Sequence, residues 1–489
     1  MRESGILMHI SSLPSPYGIG TMGEEAYKFV DFLKEAGQKN WQVLPLGPTS
    51  YGDSPYQSFS VFAGNPYFID LDLLKEQGLL RQDEIDACDF GSDEERVDYE
   101  KLFHSRFDLL KKAFSRFKPD RAYQAFVADN AFWLEDYALF LTVKECYCHC
   151  SWLEWGEGIR LRRPCAVAMY RDLFAEQIAF QKFVQYLFFS QWSALKAYAN
   201  QNGVRIIGDM PIYVALDSAD VWANSGMFQL DQDNRPLRVA GCPPDGFSPT
   251  GQLWGNPLYN WEAIRQDGYG WWVRRVRAAS KLYDVTRIDH FRGFESYYAI
   301  PFGEETAEHG EWLKGPGYAL FETIERELGE ISIIAEDLGF LTPEVHALLE
   351  QCGYPGMKVL QFAFNPWDDN DYLPHNFVPN CVAYTGTHDN DTTLGWTQST
   401  PPEEVAYAAK YLHIFDHASY PWAFLRAVWG SVAQLAIAPM QDFLALGSEA
   451  RMNTPSVLGG NWQWRMKRGA ISPELTRSIR ELTEIYRRA

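Results

Sequence analysis

Eight short runs of β-prone residues, separated by stretches with apolar residues at helical spacing, constrain the fold of this 489-residue chain most strongly. The runs lie at residues 5–13, 40–47, 205–214, 283–291, 332–339, 357–364, 381–389 and 434–439. Strands that alternate with helices predict a parallel sheet, and eight such units predict a closed (β/α)8 barrel. We therefore expect an α/β TIM barrel, with residues 1–489 forming a single domain.

Two gaps between the runs are too long for one connecting helix. Residues 68–200 show helical spacing at 94–117, 122–143 and 169–199, which predicts a mostly helical insertion subdomain. Residues 215–280 are rich in Gly, Pro and Trp, which predicts a loop-rich insertion. Barrels carry such insertions on the loops after the strands, at the face where substrates bind. We expect no separate C-terminal β-domain after the eighth run, and a helix over 473–488 with Ser472 as its N-cap.

Composition excludes several classes of partner. The net charge of −20 argues against nucleic acid and anionic membrane surfaces, which attract basic patches. No window approaches 18 consecutive apolar residues, and the first residues do not form a basic segment followed by an apolar one. Eight cysteines are too few for a disulfide scaffold in a chain of this length. We therefore expect a cytoplasmic protein, a monomer or a homodimer, with no membrane span.

One cysteine cluster, at residues 146–150, has the pattern Cys-Tyr-Cys-His-Cys. Structural zinc sites usually combine two Cys-x-x-Cys or His pairs, and no second pair lies near this cluster. The end of a helix leading into a turn explains the segment better than a metal site. We expect no metal and no cofactor.

Acidic residues stand at or near the ends of four of the predicted strands. They are Asp209, Asp289, the pair Glu336 and Asp337, and Asp389. Catalytic groups of TIM barrels lie at the carboxyl ends of the strands, so these carboxylates are expected to meet at one mouth. Paired carboxylates without a metal signature suit glycosidic-bond chemistry, which needs one nucleophile or base and one protonated acid. The alternative for any single position is an ordinary loop residue or helix N-cap.

Alternation along a strand refines these assignments. Arg287 and Asp289 are two residues apart and point to the same side, so the guanidinium can keep Asp289 ionised. Glu336 and Asp337 are adjacent and face opposite ways, so only one of them shares the site, and the pattern does not decide which. His388 provides a hydrogen-bond donor beside Asp389, although a single histidine is also commonly structural.

Long motifs in the sequence resemble those of the amylomaltases, which are 4-α-glucanotransferases or disproportionating enzymes related to the α-amylase superfamily. The resemblance covers nearly the whole chain. Its motifs include GILMHISSLPSPYGIG at 5–20, YGDSPYQSFSVFAGNPYFIDL at 51–71, IIGDMPIYVALDSADVW at 206–222, AGCPPDGFSPTGQLWGNPLYNW at 240–261, RIDHFRGF at 287–294, IIAEDLG at 333–339, YTGTHDNDT at 384–392 and RMNTPSVLGGNWQWR at 451–465.

The resemblance implies a role for each matching residue. Asp289 matches the catalytic nucleophile, Glu336 the general acid/base, and Asp389 the third carboxylate, which holds hydroxyls of the distorted sugar. Arg287 and His388 match residues around the sugar at the cleavage point. The further substrate contacts that the resemblance implies are Tyr51, Ser54, Tyr56, Asp209, Trp254 and Asn461. Trp254 lies in residues 240–261, the stretch expected to cover the cleft.

The activity implied by the resemblance is the retaining transfer of an α-1,4-glucan segment to the 4-hydroxyl of another glucan or of glucose. The expected substrates are maltooligosaccharides, starch or glycogen. The alternatives are an α-amylase-like hydrolase, or a glucan-binding protein without catalytic activity. The complete trio Asp289, Glu336 and Asp389 argues against the second alternative.

Overall fold

The computed structural model describes residues 2–50, 52–244, 248–339, 341–368 and 370–489. Eight parallel strands form its central sheet: β1 (Glu3–Leu7), β2 (Asn40–Gln42), β3 (Arg205–Met210), β4 (Val285–Ile288), β5 (Ile333–Ala335), β6 (Gly356–Val359), β7 (Cys381–Tyr384) and β8 (Leu435–Pro439). Their order is β6-β7-β8-β1-β2-β3-β4-β5. The fold is a (β/α)8 TIM barrel, as the eight runs predict.

Strands β5 and β6 are the two ends of this order, and the barrel closes where they meet. The backbone N–H of Ala335 donates to the carbonyl of Pro355 at 3.0 Å. The N–H of Met357 donates to the Asp337 carboxylate at 2.6 Å, so a side chain supplies a link that a backbone carbonyl makes elsewhere in the sheet. Asp337 is therefore part of the seam of the barrel.

Helices surround the barrel and lie between or after the strands along the chain. Those of at least ten residues outside the first long insertion are Glu24–Glu35, Gly270–Leu282, Tyr318–Leu328, Pro343–Cys352, Pro402–Leu412, Tyr420–Gly430 and Pro473–Ile485. Shorter helices lie at Ala219–Ala223, Trp261–Gln266, Thr393–Ser399 and Met440–Phe443. The last long helix begins where its sequence predicts, because the Ser472 hydroxyl accepts a hydrogen bond from the N–H of Leu475 at 3.1 Å.

The connection from β2 to β3 is mostly helical. Its helices are Leu71–Glu76, Gln82–Asp86, Tyr99–Arg116, Arg121–Asp129, Ala131–Cys146, Glu157–Arg160, Pro164–Leu173 and Ala175–Gln201. The predicted helix over 122–143 is divided at Asn130, whose side-chain amide donates to the carbonyl of Phe126 at 2.9 Å. Such a local hydrogen bond competes with the helical pattern, which explains the break. The last of these helices also packs against the barrel beside β3.

The connection from β3 to β4 differs from the loop that its composition predicts. It contributes two strands, Arg238–Cys242 and Gln252–Pro257, to a four-stranded antiparallel sheet with Ser296–Pro301 and Glu311–Lys314, which follow β4. The Gly and Pro residues predict the turns of this connection but not its strands. The strand Arg238–Cys242 pairs with Ser296–Pro301, which is distant in sequence, so local composition does not reveal the pairing. Within the stretch 240–261, the described residues 240–242 and 252–257 are therefore paired strands of this sheet.

Side chains inside the barrel form a separate apolar core. Leu7, Ile207, Val285, Ile334 and Val382 belong to it, one each from five of the strands. Polar groups are concentrated above this layer, at the carboxyl ends of the strands. Within the described ranges, no helix combines the length and the apolarity that crossing a bilayer requires.

Candidate active site

The carboxylates predicted from the strand ends do meet at the carboxyl-terminal mouth of the barrel. Asp209 lies in β3, Asp289 directly follows β4, and Glu336 directly follows β5. Asp389 lies on the loop after β7. These residues lie at or just beyond the carboxyl ends of the strands, so the carboxyl groups stand at the edge of the apolar core.

Arg287 connects two of these carboxylates. Its Nη1 atom lies 2.6 Å from Oδ2 of Asp209 and 3.1 Å from Oδ1 of Asp289. The Arg287 side chain is only 3% exposed and that of Asp209 is fully buried, whereas the Asp289 side chain is 28% exposed. Asp289 is thus the member of this group that a substrate can reach. The Tyr56 hydroxyl also donates to Oδ2 of Asp209, at 2.8 Å.

Glu336 faces the mouth and its neighbour Asp337 does not, so Glu336 is the member of this pair that shares the site with Asp289. The Glu336 carboxylate accepts hydrogen bonds from the N–H groups of His290 at 2.7 Å and Leu338 at 2.8 Å. Asp337 instead bonds Met357 in the seam. His290 adopts a left-handed backbone conformation with φ of 51°, and from this conformation its N–H reaches Glu336. The turn after Asp289 therefore holds the side chain of Glu336.

The environment separates the roles of Asp289 and Glu336. Burial, and then the negative charge of Asp289, raise the pKa of Glu336 to about 7. Burial also raises the pKa of Asp289, to about 6, while Arg287 acts in the opposite direction. Glu336 is therefore the member of the pair that holds a proton more readily, and Asp289, which lies against Arg287, is the member that ionises more readily. This is the combination that a nucleophile and a general acid require.

Asp389 is held by two neighbours. Its Oδ1 accepts a hydrogen bond from the Asn453 amide at 2.6 Å, and its Oδ2 lies 3.2 Å from Nε2 of His388. Burial disfavours its charge, but His388 and then Asn453 outweigh burial and lower the pKa of Asp389 to about 2. Asp389 is consequently ionised throughout the neutral range, and its side chain remains 43% exposed. It is suited to accepting hydrogen bonds from sugar hydroxyls.

An aromatic group forms the wall between Asp209 and Asp389. The Tyr56 ring stacks on the His388 ring, with centroids 5.2 Å apart and planes 15° from parallel. Trp462 contacts both rings, at 5.8 and 5.9 Å. Burial raises the pKa of the Tyr56 phenol, which therefore stays protonated and donates to Asp209. Flat faces of this kind pack against the apolar face of a pyranose ring.

Trp254 lies beside the residue that follows Asp289. It belongs to the strand Gln252–Pro257, and its ring meets that of His290 edge-on at a centroid distance of 4.8 Å. Tyr213 contacts Trp254 at 6.1 Å and His290 at 6.4 Å. The antiparallel sheet thus brings a tryptophan to the edge of the mouth.

The remaining predicted substrate contacts are Tyr51, Ser54 and Asn461. Tyr51 lies outside the described residues. The Ser54 hydroxyl accepts a hydrogen bond from the N–H of Tyr56 at 3.3 Å, so it shapes the turn before Tyr56. The Asn461 amide donates to the carbonyls of Thr454 and Val457 at 3.2 and 2.8 Å, so it holds its own loop together. The roles of Ser54 and Asn461 as substrate contacts stay predictions.

Two contributors to the site were not predicted individually. Asn453 lies in the motif at 451–465 but received no role, and Arg451 donates to the backbone carbonyl of Asp389 at 2.9 Å. Both residues lie more than sixty positions from Asp389 along the chain, so the spacing of residues in the sequence could not reveal these contacts.

The cysteine cluster at residues 146–150 lies at the end of a helix: Cys146 is the last residue of the helix and Cys148 is exposed. Among the described residues, no three His, Cys, Asp or Glu side chains are grouped as metal ligands would be.

Comparison with known proteins places this site in a family. A family profile described as 4-alpha-glucanotransferase matches residues 8–472. The 4-alpha-glucanotransferase of Streptococcus pneumoniae serotype 4 is 53% identical over all of this chain and 97% of its own length. That of Clostridium butyricum is 51% identical over 98% of this chain and all of its own length.

Solved structures show the same relationship. The amylomaltase from Streptococcus agalactiae, solved in complex with acarbose, superposes with a TM-score of 0.97 at 44% identity, covering both chains fully. The amylomaltase from Corynebacterium glutamicum shares the fold, with a TM-score of 0.81 at 19% identity over all of this chain and 75% of its own. Because the profile and these relatives cover nearly all of the chain, it belongs to the 4-alpha-glucanotransferase family.

Proposed function

We propose that this protein is a 4-α-glucanotransferase in which Asp289 is the nucleophile, Glu336 the general acid/base and Asp389 the carboxylate that holds the distorted sugar. The observation that carries the proposal is the meeting of three carboxylates at one mouth, each with different neighbours. Arg287 lies against Asp289, while burial and Asp289 keep Glu336 protonated. Membership of the family supports the same activity.

The first step breaks the donor glucan. Glu336 donates its proton to the glycosidic oxygen as the Asp289 carboxylate attacks the anomeric carbon from the opposite face. The glucan bearing the new hydroxyl leaves, and a β-glycosyl ester of Asp289 remains. Positive charge develops on the sugar ring in the transition state, and the Asp389 carboxylate, ionised through His388 and Asn453, stabilises it.

The second step transfers the bound segment. Glu336, now ionised, removes the proton from the 4-hydroxyl of an incoming glucan or glucose, and this oxygen displaces Asp289. Water competes for the same ester, so transfer requires that an acceptor be positioned and water excluded. Trp254, which packs on His290 beside the nucleophile, supports a role of the antiparallel sheet as the cover of the cleft.

The proposed substrates are α-1,4-glucans, from maltooligosaccharides to starch or glycogen, with glucose as a further acceptor. We also propose a cytoplasmic location, with the protein a monomer or a homodimer. No disulfide joins the cysteines, all of which lie in the described ranges, and this supports a reducing compartment. The net charge of −20 supports neutral sugars over polyanions as ligands.

Incubation with maltotriose alone tests the activity. A transferase produces glucose together with a ladder of longer oligosaccharides, which chromatography resolves. Only shorter sugars would indicate a hydrolase, and unchanged maltotriose would exclude transfer with this donor.

The Asp289→Asn variant tests the assignment of the nucleophile. We expect the ladder to disappear, because an amide neither attacks the anomeric carbon nor carries the charge. Asp83→Asn is the matched control, since the Asp83 side chain is 73% exposed and pairs with surface Arg81. Near-wild-type transfer by Asp289→Asn would show that another group attacks the sugar.

A further inference from the structure

His9 is a buried histidine that the proposed mechanism does not use. It follows β1, is 5% exposed, and lines a cavity together with Ser12, His388, Gln441 and Arg451. The volume of this cavity is about 20 Å³. One ordered water needs roughly 10–15 Å³ and two to four polar partners.

The tautomer of His9 follows from its contacts. The backbone N–H of Leu44 donates to Nδ1 of His9 at 3.2 Å, so Nδ1 accepts and cannot carry a proton. Burial, and then the nearby His388, lower the pKa of His9 to about 3, so the ring is neutral in the functional pH range. The single ring proton therefore sits on Nε2, where it can be donated.

The cavity supplies two further polar groups. The Ser12 hydroxyl is fully buried and has no protein partner within the described part of the chain. His388 directs Nε2 towards Oδ2 of Asp389, 3.2 Å away. Its other nitrogen, Nδ1, is then the acceptor of the neutral ring.

We propose that one ordered water in this cavity accepts from Nε2–H of His9 and donates to Nδ1 of His388, with Ser12 as its third partner. His9 is thereby a positioning residue: it keeps the proton of His388 on Nε2, facing Asp389 and the sugar. The chain of donors runs from the Leu44 N–H through His9 and the water to His388 and ends on Asp389. This inference rests on the proposed function, since it deepens the role of Asp389.

The protonation of His388 is where the effect is expected. A donor at Nδ1 opposes protonation of that nitrogen, and without it His388 becomes an imidazolium more easily. An imidazolium would bind Asp389 as an ion pair and compete with the sugar hydroxyls for the carboxylate. Burial lowers the pKa of His388, but Asp389 outweighs burial and raises the pKa above its ordinary value, with smaller opposing effects of Arg287 and Asp209. Asp289 and His9 are the other ionisable groups that interact with the ring. The hydrogen bond donated to Nδ1 is the contact that opposes this rise.

Two substitutions of His9 separate its two nitrogens. In His9→Asn the side-chain oxygen replaces Nδ1 as the acceptor for the Leu44 N–H, but the donor at the position of Nε2 is lost. In His9→Gln the amide nitrogen lies close to the original Nε2 and retains a donor. For His9→Asn we expect kcat for maltotriose disproportionation to fall roughly tenfold, the size of one lost hydrogen bond, with KM changed less than twofold. The loss is expected to be larger below pH 7, and His9→Gln should recover most of kcat. His104→Asn, at an exposed position of the helix Tyr99–Arg116, is the control.

Nitrogen NMR of the imidazole rings provides a readout that does not depend on activity. In the free wild-type protein we expect the neutral form of the His388 ring, observed above its titration, to carry its proton on Nε2, and we expect His388 of His9→Asn to titrate at a higher pH than that of the wild type; the signals are assigned with His388→Gln. A neutral ring with the proton on Nδ1 would overturn the proposal even if the His9 variants failed to fold. Equal losses in His9→Asn and His9→Gln, or a wild-type pH profile in His9→Asn, would overturn it as well. Failure of the proposed function is distinguishable, because the wild type would then form no ladder from maltotriose.

Discussion

Replacing Arg287 by Gln removes the positive charge that adjoins Asp289 while keeping much of the side-chain volume. In the wild type, Arg287 lies 3.1 Å from Asp289 and 2.6 Å from Asp209. Transfer requires Asp289 ionised and Glu336 protonated, so activity follows a bell-shaped pH profile whose acid limb reports Asp289. Loss of the guanidinium disfavours the Asp289 anion. The acid limb should therefore move to higher pH.

The size of the change follows from the geometry. At 3.1 Å the full attraction is roughly 5 kcal/mol at an effective dielectric constant of 20, and solvent reduces it because the Asp289 side chain is 28% exposed. An aspartate beside an arginine usually has its pKa lowered by about 1–3. For a rise of about 1–2 from the value near 6, the ionised fraction of Asp289 at pH 6 falls roughly five- to fifty-fold. The alkaline limb, which reports Glu336, should move less, because Arg287 contacts Asp289 directly and not Glu336.

The assay is the pH dependence of kcat/KM for maltotriose disproportionation in the wild type, Arg287→Gln and Arg287→Lys. Arg287→Lys retains a charge and should shift the acid limb less, and Arg477→Gln controls for loss of an exposed arginine that is paired only with Glu474. Thermal unfolding belongs in the same series, because Asp209 stays buried without its partner, at a cost of about 3–5 kcal/mol. An acid limb in folded Arg287→Gln that coincides with the wild-type limb would refute the assignment of Asp289 and its partner.

Three further outcomes follow from single contacts. Asn453→Ala removes the 2.6 Å hydrogen bond to Asp389, and we expect kcat to fall roughly tenfold with the protein still folded; an unchanged kcat would show that Asn453 does not position Asp389. Trp254→Ala should raise the ratio of hydrolysis to transfer, measured as reducing ends against ladder products from maltotriose, and an unaltered ratio would exclude Trp254 from the cover. Asp337→Ala removes the acceptor of the Met357 N–H in the barrel seam and should lower the free energy of unfolding by about 1–3 kcal/mol, whereas Asp337→Asn, which keeps an acceptor, should lower it less; equal losses would contradict the seam role.

The sequence predicted the barrel well because each strand is a local signal. Each of the eight runs overlaps an observed strand, and the acids predicted at the strand ends lie at one mouth. The alternation of side chains along a strand predicts that Arg287 and Asp289 point to the same side, and in the structure Nη1 of Arg287 lies 3.1 Å from Oδ1 of Asp289. The same rule left Glu336 and Asp337 undecided, because only the position of β6 shows that Asp337 faces Met357.

Features that depend on partners distant in sequence were not predictable in the same way. The antiparallel sheet pairs Arg238–Cys242 with Ser296–Pro301. The Gly and Pro residues of the connection predict a loop and give no sign of this pairing. The contact of Asn453 with Asp389 depends on how the loop after β8 folds back over the mouth. Asn461 is expected in the cleft because it stands in a cleft-flanking motif; its amide holds the loop through Thr454 and Val457, and its role as a substrate contact stays a prediction.

Identification of the covalent intermediate tests the central claim most directly. An α-glucosyl or α-maltosyl fluoride needs no acid catalyst for departure of fluoride, so Glu336→Gln should form the glycosyl ester but lack the base that an acceptor needs to remove it. Mass spectrometry of the quenched, digested variant is expected to show one glycosyl group on the peptide containing Asp289. Doubly substituted Asp289→Asn, Glu336→Gln should carry none. A glycosyl group on Asp389, Asp209 or another residue, or its persistence when Asp289 is replaced, would contradict the account.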